Sequence, residues 1–289
     1  KLFPSTSRAS LDEFEDLLRL NVIYYRIMQV FLHLHEDKVD HEKLNHMAIQ
    51  CMWKDIERCL GTRSKELFQS FKTDLTNEKD IKGLIGKNFK FFKKTDLIIS
   101  TVGIQGEINN FFNSNLKKFK QTFEINFFSH IFLLKALYKV IRHNKKTLII
   151  FFSGGGATSK RENLSSYSLS KIALVKLVEI LSFEFKNKNI RINAVAPGII
   201  DSKMTRLLLK NKSKIEQKEI LKIKNGIKSS NKSLKNVYDL INLLLSEPGK
   251  NISGKILSSK WDMFKKWNKI ELRKISRSDI FTMRRRLDF

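Results

Sequence analysis

From residue 61 onward, short apolar runs alternate with longer stretches in which apolar residues recur every three or four positions. Bounded runs of four to eight apolar residues read as buried strands, and the longer periodic stretches read as amphipathic helices. The pattern predicts strands at 67–72, 96–101, 147–152, 190–196 and near 255–258. Between them it predicts helices from a Thr76 cap to about residue 91, from about 116 to 143, from about 165 to 185, and near 234–245. Phe123, Phe127, Ile131, Leu134 and Leu137 give the second of these its apolar face. Such alternation argues for a parallel sheet with helices on both faces. Ligands of these sheets bind outside the carboxyl ends of the strands. The polar and glycine-bearing turns Val102-Gly103, Ser153 to Gly156 and Pro197-Gly198 fall there.

The first 60 residues follow a different pattern. Ser10 and Glu13 form a capping box ahead of Leu11, Phe14, Leu18, Val22, Tyr25 and Met28 at helical spacing. A second helix, from about 40 to 60, would use Leu44, Met47, Cys51, Met52, Ile56 and Cys59, with Gly61 as its stop. The alternation over 30–35 fits a strand equally well. Composition changes at the same place. Residues 1–60 hold eight Lys and Arg against ten Asp and Glu, leaving 47 and 19 to the remainder, and none of the 12 glycines precedes Gly61. The expected organisation is a mostly helical segment over 1–60 and an α/β domain over 61–289, with a basic tail from about 260.

Charge and cysteines narrow the function classes. A formal net charge of +26 invites a nucleic-acid reading. The lysines, however, alternate with Ile, Asn and Phe along the whole chain and no nucleic-acid-binding signature is present, so a compositional bias is the preferred cause. Cys51 and Cys59 imply no disulfide framework. The most apolar early stretch, 22–34, carries Arg26, Gln29 and His33 and is too short and too polar to span a bilayer. No signal peptide is recognisable, and a cytoplasmic location without membrane attachment is expected. His41, His46 and Cys51 are five residues apart, which puts them on different sides of a helix, so no metal site is expected.

One pair of residues carries chemistry. Tyr167 and Lys171 stand four apart within a helical pattern and share a helix face. A phenol is a poor acid or base at neutral pH, and a fixed cation beside it pulls its pKa toward the working range.

With its surroundings, this pair resembles the short-chain dehydrogenase/reductase family over about residues 66–259. Tyr167-Ser-Leu-Ser-Lys171 corresponds to the family's Tyr-x-x-x-Lys motif, Ser153 to its catalytic serine at a strand end, and Asn126 to its catalytic asparagine. Ser100-Thr101-Val102-Gly103 stands at the Asn-Asn-Ala-Gly turn, Asp74 at the adenine-contacting aspartate, and Pro197-Gly198 with Ser202 at the turn that closes on the nicotinamide. The resemblance implies a Rossmann-like doubly wound parallel sheet and hydride transfer between NAD or NADP and a carbonyl or alcohol. Tyr167 would exchange a proton with the substrate oxygen, and Lys171 would lower the Tyr167 pKa and hold the cofactor ribose. Ser153 would hydrogen-bond the reacting oxygen, and Asn126 would hold a water linking Lys171 to solvent. Gly103, Pro197, Gly198, Ser202 and Asp74 would line the cofactor. The family commonly forms homodimers or homotetramers through the helices bearing the asparagine and the tyrosine.

Three departures stand out. Ser153 is 14 residues before Tyr167, where many members have 13, and Gly154 occupies the usual position. The Asn-Asn-Ala-Gly turn keeps only its glycine. The family's opening strand and glycine-rich phosphate turn have no counterpart in residues 1–60, so the first βαβ element is expected to be missing or replaced by the helical segment. The residue that selects NAD or NADP is likewise not identified. The leading expectation is an oxidoreductase; a catalytically silent relative acting as an interaction module is the alternative, and a nucleic-acid-binding protein comes last.

Overall fold

In the computed structural model the chain divides after Lys72, and the described residues, 73–93, 95–141 and 146–284, all belong to the second unit. The helices expected within 1–60, the strand at 67–72 and the His41/His46/Cys51 group lie outside the described residues.

The elements run in the order α1 Glu78–Lys87, α2 Phe89–Phe92, β1 Leu97–Ser100, α3 Leu116–Phe123, a π-helical turn Glu124–Phe128, and α4 Ser129–Ile141. They continue with β2 Thr147–Phe152, α5 Ser165–Glu184, β3 Ile190–Ala196, α6 Lys203–Lys210, α7 Gln217–Lys228, α8 Ser230–Leu245, β4 Ile256–Ser258 and α9 Lys269–Arg277. Among the described residues the four strands form one parallel sheet in sequence order, with Leu97 beside Leu148, Thr147 beside Ile190, and Ala194 beside Ile256.

Burial explains why β2 is a nearly continuous apolar run. In β2 every residue is buried. Leu148, Ile150 and Phe152 pack on one side with Val237, Leu240 and Leu244 of α8. Ile149 and Phe151 pack on the other with Leu174, Val175 and Val178 of α5. A strand covered on both faces has no solvent side to call for alternation of polar with apolar residues. Expected and observed bounds agree to the residue for β2, and also for β3, where Arg191 and Asn193 interrupt the apolar run.

Elsewhere local chemistry shifts the boundaries. Asn77, not Thr76, caps α1 and accepts from the backbone N–H groups of Lys79 and Asp80. Thr76 is engaged one turn earlier, donating from its N–H and its hydroxyl to Asp74 Oδ1. Asparagine is the stronger cap. The helix expected over 116–143 is broken into α3, the π turn and α4. Helices α6, α7 and α9 escape the hydrophobic pattern because each buries only two or three positions amid lysines: Thr205 and Leu208, Ile220, Ile223 and Gly226, and Leu272 and Ile275.

The last strand is held by side chains that the pattern does not mark. Asn193, fully buried in β3, donates to the Ile252 carbonyl at 2.9 Å and accepts from the Lys255 N–H at 3.1 Å. Arg191 donates to the Leu244 carbonyl at 2.8 Å, tying the end of α8 to β3. Beyond α9 the chain returns to the sheet, where the Ile256 N–H donates to the Phe281 carbonyl.

Removing the Asn193 carboxamide strands a buried N–H and a buried C=O. Asn193→Ala is expected to destabilise the chain by about 2–4 kcal/mol, read as a lowered urea midpoint. The exposed Asn231→Ala control should stay within about 0.5 kcal/mol.

Candidate active site

The helix α5 starts at the carboxyl ends of the strands, with Tyr167 in its first turn and Lys171 one turn later. Both side chains are buried, as are Asn126, Ser153 and Ser170. The Lys171 ammonium donates to the carbonyl of Phe152, the last residue of β2, at 2.9 Å.

Asn126 lies in the π turn and is fully buried. Its Oδ1 accepts from the Ile104 N–H at 2.7 Å, and its Nδ2 donates to the Ile104 carbonyl and to Ser170 Oγ, both at 3.0 Å. Ser170 in turn donates to the Tyr167 carbonyl at 2.8 Å. One carboxamide thus joins the loop after β1 to the helix that carries Tyr167 and Lys171. Gly103, in the same loop, lies against Lys171. A side-chain carbon there would come 3.0 Å from Lys171 Nζ and 3.4 Å from Asn126 Oδ1.

The tyrosine hydroxyl sits over Gly154. A side-chain carbon on Gly154 would overlap Tyr167 Oη, so glycine is what permits this position of the ring. The residue facing the hydroxyl is therefore the one 13 positions before Tyr167. Ser153 stands one residue earlier, buried and with no hydrogen-bond partner on its Oγ. By alternation along β2 it falls on the Ile149 and Phe151 side, which α5 covers.

Burial drives both ionisable groups toward neutrality. It raises the Tyr167 phenol above its ordinary range, against a smaller lowering effect of Arg161. It lowers the Lys171 amine to about 8. The depressed phenol expected from the Tyr167–Lys171 spacing is not found, because desolvation dominates and the ammonium is directed at the Phe152 carbonyl.

Other sequence-derived residues are engaged elsewhere. Pro197-Gly198 follows β3, and Gly198 has a left-handed φ of +77°, which a side chain would strain. Its neighbours are the Lys260 side chain and Ser233 Oγ. Ser202 caps α6, with its Oγ accepting from the Thr205 N–H and 2.7 Å from the Thr205 hydroxyl. Asp74 is exposed, with Oδ1 held in its own turn by Thr76. Two participants carry no sequence signal of their own: Ser170, recognisable only once Asn126 is placed, and the buried His130, whose ring meets Phe151 edge-on at 4.7 Å. Among the described residues no group of three His, Cys, Asp or Glu could hold a metal, and no helix is long and apolar enough to cross a membrane.

Comparison with known proteins decides the family. The family described as short chain dehydrogenase matches residues 41–213. The chain belongs to that family. Its match begins 25 residues before the stretch recognisable by eye, inside the glycine-free segment. Among curated short-chain dehydrogenase relatives, the 7alpha-hydroxysteroid dehydrogenase of Escherichia coli K12 is 29% identical over 129 residues, 45% of this chain and 50% of that protein. The chain thus spans about half the length of the first curated relatives it matches. Solved structures agree in fold: a short chain dehydrogenase/reductase from Saccharomyces cerevisiae has a TM-score of 0.61 at 22% identity, covering 73% of this chain and 82% of that one. ElxO with NADP bound has a TM-score of 0.57 at 22% identity, covering 71% and 82%. The architecture is accordingly that family's Rossmann-like α/β fold.

The lowered Lys171 pKa has a stability consequence with a definite sign. Between about pH 8, where the folded amine loses its proton, and the ordinary lysine value of 10.5, the unfolded chain binds more protons. This group's contribution to stability therefore rises with pH across that window, on the order of 3 kcal/mol in all. Urea denaturation at pH 7.5 and 10 should show that rise in the native chain relative to Lys171→Met.

Proposed function

We propose that the chain is a nicotinamide-dependent oxidoreductase that moves hydride between NAD or NADP and a small carbonyl or alcohol substrate, with Tyr167 as the acid/base. The observation that carries this reading is the buried cluster of Tyr167, Lys171, Asn126 and Ser153 at the carboxyl ends of the strands.

The residues present fit the nicotinamide side of such a cofactor. Ser153 Oγ is buried with a hydrogen bond still to make. Lys171 has three N–H donors and gives one to Phe152, leaving others for a ribose hydroxyl. The Pro197-Gly198 turn opens at the end of β3. When bound, the nicotinamide ring would accept or supply the hydride. Tyr167 donates its proton to the carbonyl oxygen in reduction and takes it from the alcohol in oxidation. A phenol raised by burial stays protonated at neutral pH, which suits the reductive direction. Ser153 donates to the same oxygen and steadies its developing charge. Asn126 spends its carboxamide on Ile104 and Ser170, so its part is to hold the loop and α5 in register.

On this reading residues 61–289 are the dehydrogenase-like domain, and residues 1–60 are the mostly helical segment in place of the first βαβ element. Asp74 and Gly103 belong to the cofactor side of the site, and Ser202 shapes the chain after Pro197-Gly198. The exposed Leu169, Ile172, Ile180 and Phe183 on α5 support a homodimer or homotetramer through that helix. A second reading, a catalytically silent relative, is favoured by one fact: the first 60 residues contain no glycine with which to build a phosphate turn.

Fluorescence titration with NADH and NADPH separates the two readings. Saturable binding is expected for the oxidoreductase, with turnover reduced about 10²- to 10⁴-fold in Tyr167→Phe and cofactor affinity retained. No saturation at millimolar cofactor, or undiminished turnover in Tyr167→Phe, would overturn it.

A further inference from the structure

His130 is buried to 1% exposure at the start of α4, and its Nε2 has no hydrogen-bond partner. Its tautomer follows from the neighbouring hydroxyl. Ser129 Oγ lies 2.6 Å from the Ile125 carbonyl and 3.3 Å from His130 Nδ1. A hydroxyl has one proton to give, and the shorter contact, to an atom that can only accept, takes it. The longer contact is then a hydrogen bond only if Nδ1 carries the proton and donates to Ser129 Oγ. Nε2 is left as a bare lone pair inside the protein, an acceptor whose solitude costs about 1–3 kcal/mol.

The cation whose charge acts on His130 is Lys171. The His130 ring packs edge-on against Phe151 of β2, and the very next carbonyl, that of Phe152, receives the Lys171 ammonium. Ser100, which pairs with Phe151 across the sheet, and Ser153, which follows Phe152, both have unpartnered hydroxyls. An ammonium, an imidazole lone pair and two hydroxyls, all buried, therefore belong to residues at or against the end of β2. The charged group acting on His130 is Lys171 of α5; its own helix contributes Ser129, β1 contributes Ser100 and β2 contributes Ser153, all neutral.

We infer that His130 is a positioning residue for Lys171, its unprotonated Nε2 accepting from a water molecule that in turn accepts from the Lys171 ammonium, and so holding that amine in its charged form. Burial and the Lys171 charge keep the imidazole itself neutral, with a pKa well below its ordinary value. A neutral acceptor offsets part of the desolvation that lowers Lys171. The catalytic meaning of this device rests on the function proposed above; its existence does not.

Nitrogen-15 NMR of the imidazoles in the full chain tests it without any turnover. The expected signal for His130 is the neutral Nδ1–H tautomer persisting below pH 6, with its titration midpoint moving up in Lys171→Met. An Nε2–H tautomer, or a midpoint indifferent to Lys171→Met, would overturn the inference. Where turnover is measurable, His130→Leu should shift the alkaline limb of the kcat profile down by about one pH unit. From a starting value of about 8, that is a roughly fivefold loss at pH 8. His130→Gln, which restores an acceptor, should hold the limb in place. Equal shifts in both variants would mean that only packing was lost. A chain with no turnover but the Nδ1–H tautomer and a Lys171-sensitive midpoint would reject the oxidoreductase reading and leave this one standing.

Discussion

The arrangement of the site depends on a single buried carboxamide. Asn126 meets both backbone groups of Ile104 and the hydroxyl of Ser170, so its hydrogen bonds reach into two different pieces of chain. That bridge seats Gly103 against Lys171, and the Asn109 N–H, which donates to the Asn163 carbonyl just ahead of α5, ties the same loop a second time. Burying such a group is costly unless its hydrogen bonds are made. Here three are made, and the group acts as a specific lock rather than a liability. The π turn is what aims it inward while α3 and α4 continue on either side.

Around this lock the electrostatics are those of a dry interior. Tyr167 shifts up and Lys171 shifts down, and burial is the largest cause of both. An ion pair would have moved the phenol the other way. The two groups therefore interact less with each other than each does with its own surroundings: the phenol over Gly154, the amine on the Phe152 carbonyl. Among the described residues most lysines are exposed, and Lys171 is the buried cation that bears on the chemistry of this interior.

How much of this was legible in the sequence varied with the kind of signal. β2 could be bounded to the residue because both its faces are buried, which leaves an apolar run, and β3 was bounded equally well although Arg191 and Asn193 interrupt its apolar residues. The Tyr167 and Lys171 spacing and the polar residue between Ile125 and Phe127 pointed to the cluster that the structure brings together. The π turn was invisible, because an inserted residue leaves the apolar count unchanged and only alters the phase. That Gly154, not Ser153, faces the phenol depends on where one strand ends, which periodicity does not specify. His130 had no signal, since a lone histidine in an apolar helix is ordinary until its neighbours are known. Helices rich in lysine, such as α7, bury too few positions to stand out.

The π turn also changes how the two halves of this long helix are coupled. Each residue of an α-helix turns the chain by about 100°, and a π turn accommodates one residue more than its neighbours require. The stacked Phe119 and Phe123 on one side, and Leu134 and Leu137 on the other, therefore do not share a single helical stripe. Substitutions in α3 can change its surface without rotating the packing of α4. The loss of one residue between 124 and 128 would bring the halves back into phase and swing Asn126 out of the interior. For this segment, length is the more sensitive inheritance than identity.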